Sequence, residues 1–137
     1  MAKLILTTIF FIISPQKYNW ETIHDKREYS VSGISKFKDG FLVVHDNKRK
    51  DQARISYINQ ELKIKNLIWP KIKLPNDLEA SIQVPGVKNR YILMESGGKC
   101  FEISIDPKDF RVEVIHTFTL PLIKPKMNLE GLTIFPS

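Results

Sequence analysis

Two glutamates stand in the same short phrase. Asn76-Asp77-Leu78-Glu79-Ala80 and Met127-Asn128-Leu129-Glu130-Gly131 each set a Glu between Leu and a small residue. A third copy, Val31-Ser32-Gly33-Ile34, carries Ser32 at that place. Ser32 precedes Glu79 by 47 positions, and Glu79 precedes Glu130 by 51. Carboxylates that a repeat brings together repel one another unless a proton or a cation intervenes. Ca²⁺ suits such a group, because it accepts several oxygen ligands at irregular geometry. Asp46, Asn47 and Glu95, at the ends of apolar runs, would add oxygens. Glu79 or Glu130 would then act as general base on a phosphoester or ester held by the metal. The alternative is structural: both glutamates accept hydrogen bonds from backbone amides of a neighbouring element and simply tie it down.

Other reactive residues carry weaker signals. His45 and Asp46 are adjacent in a strand, so they point to opposite faces and form no dyad. His24 and His116 have no metal-ligand spacing. Cys100 lies inside an apolar run and reads as a small core filler. Ser96 lacks a G-x-S-x-G elbow, and neither a Gly-rich phosphate loop nor H-E-x-x-H occurs. Trp20 and Trp69 read as core aromatics.

The elements that must position these residues are strands. Helical periodicity is almost absent, and short β-rich runs alternate with turns. Phe41 to Val44 follows the turn Lys38-Asp39-Gly40, and Ala53 to Ile58 alternates apolar with polar. Tyr91 to Ser96 and Lys99 to Ile105 flank Gly97-Gly98, a hairpin in which both glycines can take positive φ. Asp106-Pro107-Lys108-Asp109 turns the chain into a strand over Arg111 to Thr119. The fold class is therefore all-β and antiparallel.

The repeat refines this. After each of the first two copies comes a turn, an apolar strand, a tight turn, an alternating strand, and a strand ending in Leu74-Pro75 or Leu120-Pro121. Four strands per 40–50 residues are what a β-propeller blade needs. The expectation is a partial β-propeller over residues 17–137, with two four-stranded blades and the first strand of a third. Its first strands would line a central channel, with Ser32, Glu79 and Glu130 at the channel mouth. Because closure takes about four or more blades, the expectation is an incomplete chain needing C-terminal blades or self-association. A small β-sandwich with an accidental repeat is the other reading.

The copies just described, with Phe41 to Lys48, give a family resemblance. The chain resembles the N-terminal part of the phytase-like "esterase-like activity" propellers and the related SdiA-regulated propellers, over roughly residues 28–135. Ala80 stands where that family more often has Gly. The resemblance implies a mostly exported propeller, sometimes metal-binding. Two functions stay open for the chain: a metal-assisted phosphoesterase or esterase at the channel mouth, or a non-catalytic propeller for protein–protein interaction.

Bulk properties set outer limits. A net charge of +6 invites a nucleic-acid reading, but the basic residues are scattered. The densest run, Lys48-Arg49-Lys50, sits in a turn and is followed by Asp51, so no nucleic-acid partner is expected. One cysteine allows no internal disulfide. Leu4 to Ile13, after Lys3, is too short to span a bilayer. Residues 1–16 therefore read as either a signal peptide or a buried N-terminal strand. Secreted or periplasmic location goes with the first reading, cytoplasmic with the second.

Overall fold

The computed structural model describes residues 21–121, 123–124 and 126–135. The segment 1–16 and Trp20 lie outside the described residues. Eight strands form two four-stranded antiparallel sheets, each strand paired with its neighbour in sequence. The first sheet holds β1 (Gly33–Phe37), β2 (Gly40–Val44), β3 (Ile55–Ile58) and β4 (Ile64–Asn66). The second holds β5 (Leu78–Gln83), β6 (Arg90–Glu95), β7 (Lys99–Ile105) and β8 (Val112–Thr119). A single 3₁₀ turn, Arg27–Tyr29, is the helical structure among the described residues. None of it is long and apolar enough to cross a membrane. The all-β expectation holds, and neither sheet closes on itself.

Turn chemistry sets the register. β6 and β7 pair Met94 with Cys100, and the Gly98 N–H donates to the Glu95 carbonyl at 2.8 Å. Gly98 alone of the two turn glycines takes positive φ, at 79°, which corrects the expectation for Gly97. A Cβ on Gly98 would also lie 2.8 Å from Ile123 Cγ1, so conformation and space both require glycine there.

One core joins the two sheets. Phe37, Leu42, Val44, Ile55 and Tyr57 from the first pack with Leu78, Tyr91, Leu93, Phe101 and Ile103 from the second. Phe37 stands edge-on to Tyr57, Tyr91 and Phe110 at centroid distances of 5.7, 6.1 and 6.0 Å. Trp69 meets Phe101 edge-on at 5.5 Å and closes the cluster. Each such side chain contributes about 1.5–3 kcal/mol by leaving water. On the far face of the second sheet, Ala80, Met94 and Cys100 are covered partly by Leu129 and Leu132.

Three details differ from the sequence reading. First, the alternation in β3 does not separate core from solvent, because Ile55 to Ile58 are all buried. Second, β4 ends at Asn66 and does not run on to Leu74-Pro75. Leu67 still donates to the Ile55 carbonyl, but Pro70 lacks the N–H a longer ladder would use. Third, residues 126–135 form no strand. Leu129 N–H bonds the Ser96 carbonyl at 2.9 Å, but this single bond is not a ladder.

Candidate functional site

The geometry begins where β1 and β5 lie side by side. A Cβ on Gly33 would sit 2.9 Å from Ala80 Cα and 2.8 Å from Ser81 N, so the backbones touch there. Ser35 and Ser81 share a hydrogen bond of 2.9 Å between their hydroxyls. Gly33 and Ala80 are equivalent places in the repeat, and the fold sets them against each other. Residues just before and after this contact gather charge.

Asp46 follows β2 and is gripped by Arg27, with Nη1 at 2.8 Å from Oδ1 and a second bond from Nη2 to Oδ2. That fork holds the Asp46 carboxyl below its ordinary range. Asp77 precedes β5, with Lys48 Nζ 3.1 Å from Oδ1 and the Ser96 hydroxyl donating to Oδ2 at 2.9 Å. Glu79, in β5, is half-buried and has no hydrogen bond or ion pair among the described residues. Burial pushes its pKa up, and the negative charges of Glu130, Asp77 and Asp46 push it further. Glu130 is exposed and accepts from Asn128 Nδ2. The fold thus puts Glu79 within the fields of Asp46, Asp77 and Glu130.

The remaining expected ligands have other partners. Asn47 is buried, and its amide nitrogen donates to the Glu28 and Ala53 carbonyls, both at 2.8 Å. Glu95 Oε1 accepts from the Asn76 backbone N–H at 2.7 Å. That bond lies at one end of the second sheet, between the approach to β5 and the end of β6. Ser32 offers its backbone N–H to the Val44 carbonyl at 3.0 Å. Among the described residues no three His, Cys, Asp or Glu side chains are arranged to hold a metal ion.

His45 and Asp46 both follow the end of β2 and take separate partners, so they form no dyad. The His45 ring is buried, with Nδ1 2.8 Å from the Ser30 carbonyl and Nε2 2.8 Å from Ser56 Oγ. Burial lowers its pKa, so the ring is neutral and Nδ1 carries the proton for Ser30. The Ser56 hydroxyl also lies 2.8 Å from Asn66 Oδ1, and its one proton serves a single acceptor at a time. Cys100 is buried and its thiol is pushed up to about 11, which removes it as a nucleophile. The His24 ring lies tilted against Tyr29 at 4.1 Å between centroids, and His116 stacks on Phe118 at 5.8 Å.

Two residues escaped the sequence reading. Arg54, 3% exposed, donates Nε to the Pro75 carbonyl and Nη1 to the Arg49 and Gln52 carbonyls. It fastens the β2–β3 loop to the β4–β5 connection. Its place in an alternating strand pointed to solvent, and only the loops folded over it reveal its work. Arg27, 19 residues before Asp46, gave no local signal either. The chain matches no family model, no curated protein and no solved structure.

Proposed function

We propose that the two sheets are neighbouring blades of a propeller-type protein and that the rim around Glu79 binds a divalent cation, Ca²⁺ foremost, or a ligand that carries one. One observation carries this reading: Glu79 is a half-buried carboxylate with no side-chain partner among the described residues, in the field of three other carboxylates. Arg27 and Lys48 offset two of the four negative charges, and the remainder favours a cation or a proton. The contact of β1 with β5 at equivalent repeat positions supports the blade arrangement, as does the resemblance to phytase-like propellers. Glu79, Glu130 and Asp77 are the residues that would hold the ion. They form no closed ligand set, so no reaction step is assigned to it. A phosphoester or ester is the substrate class for a hydrolytic role, with Glu79 as base because its raised pKa favours proton uptake.

The second reading is a non-catalytic propeller that docks a protein. Ile34 and Phe41, 57% and 44% exposed on the first sheet, favour it. Thermal unfolding with and without Ca²⁺ separates the two. Stabilisation by Ca²⁺ that disappears in Glu79→Gln and weakens in Glu130→Gln supports the cation site. An unchanged midpoint overturns it.

A further inference from the structure

A second feature lies where the connection after β4 faces the turn before β8. There a cleft of about 610 Å³ opens, within the range of small-molecule sites. Leu67, Trp69 and Pro70 form one wall, Phe110 and Val112 the other. Ile68, 87% exposed beside Trp69, adds apolar surface that nothing among the described residues covers. The aromatic walls are fixed. Trp69 packs edge-on to Phe101, while Phe110 lies 5.2 Å from Tyr57 and is held at a positive φ of 64°.

The rim is cationic. Lys65, Lys71 and Arg111 line the cleft against the single carboxylate of Asp109. Lys65 has its ammonium 3.8 Å from the Phe110 ring centroid, and Asp109 Oδ1 accepts from the Arg111 backbone N–H at 2.8 Å. Among the described residues the Arg111 guanidinium pairs with Glu113 alone, at 4.0 Å and largely in solvent, a pairing of little strength. Lys71 makes no ion pair among the described residues. An apolar trough with two available cations at its lip fits a molecule that is apolar at one end and anionic at the other.

We infer that this cleft binds a free organic acid, with its acyl or aryl body against Trp69 and Phe110 and its carboxylate at Lys71 and Arg111. A guanidinium fork beside an ammonium matches a carboxylate in geometry and charge. The site shares no residue with the carboxylate rim, so it stands whether or not that rim binds a cation.

Decanoate is the probe, and the full chain carrying Trp20→Phe leaves Trp69 as the sole indole reporter. Titration should give a saturable change in Trp69 emission. Decanol, with the same tail and no charge, should bind at least about tenfold more weakly. The double variant Lys71→Glu/Arg111→Glu should lose a similar factor while keeping the parent's circular dichroism. Arg111→Gln, a milder change, should lose part of it. Calorimetry on the unmodified chain reads the same binding if the indole is insensitive. The inference is overturned if decanoate gives no saturable heat or emission change. It also fails if decanol binds as tightly, if the charge-reversed variant keeps full affinity, or if decanoate acts only by pairing two copies of the chain.

Discussion

At the residue scale, two buried polar side chains and the half-buried Glu79 carboxylate govern stability and its pH dependence. Arg54 satisfies three backbone carbonyls from inside the fold. Arg54→Ala strands those acceptors and should lower the unfolding free energy by about 2–4 kcal/mol, read from urea denaturation. His45 titrates below its ordinary value of 6.5 because burial disfavours the cation. A group with a lowered folded pKa contributes fully above its unfolded pKa, and that contribution fades as pH falls through the folded value. The chain should therefore lose stability as pH falls below about 6.5, before its carboxylates titrate. His45→Gln should flatten that limb. Glu79 has the opposite sign: its pKa is raised, so its contribution is present below the ordinary 4.5 and is lost as pH rises through the folded value. Without divalent cation, Glu79→Gln should then raise the midpoint slightly at pH 7. The Leu-Glu-small phrase singled out Glu79 and Glu130, and Glu130 contributes to the field at Glu79. Arg27, Arg54 and the burial of His45 were not legible in the sequence, since each depends on chain distant in sequence.

At the element scale, local signals were enough for most strands. Lys99 to Ile105 is found as read, and β2 and β6 differ by a residue or so at their ends. The Gly-Gly pair marked its hairpin because a bend with positive φ leaves few residue choices. Gly98→Ala meets strained backbone and the Ile123 side chain together, and should cost about 1–3 kcal/mol by thermal or chemical unfolding. What failed were stretches whose strand character depends on a partner. β4 stops after three residues, and 126–135 has strand-like composition without a ladder. Periodicity reports a propensity for strand, but a ladder also needs an edge to pair with. The contact of β1 with β5 is equally non-local. Gly33→Val would force those backbones apart, and should lower stability by about 2 kcal/mol or more while leaving the hairpins within each sheet intact.

At the scale of the whole molecule, two sheets share a core along one face each, and their first strands meet. This arrangement sets the carboxylate rim, and Arg54 and Arg27 fix the loops that complete it. Self-association would bring further sheets to the first one through its exposed Ile34 and Phe41. Light scattering should then give a multiple of the 15.9 kDa chain mass, reduced to one chain by Phe41→Glu. The cation rim is the central claim, and one comparison bears on it most directly. Thermal unfolding of the parent chain and of Glu79→Gln at pH 7 should be followed with chelator and with millimolar Ca²⁺. The account predicts a rise in midpoint with Ca²⁺ in the parent, and in Glu79→Gln a higher starting midpoint that Ca²⁺ leaves unmoved. A parent midpoint indifferent to Ca²⁺, or a variant that responds as strongly as the parent, would contradict it.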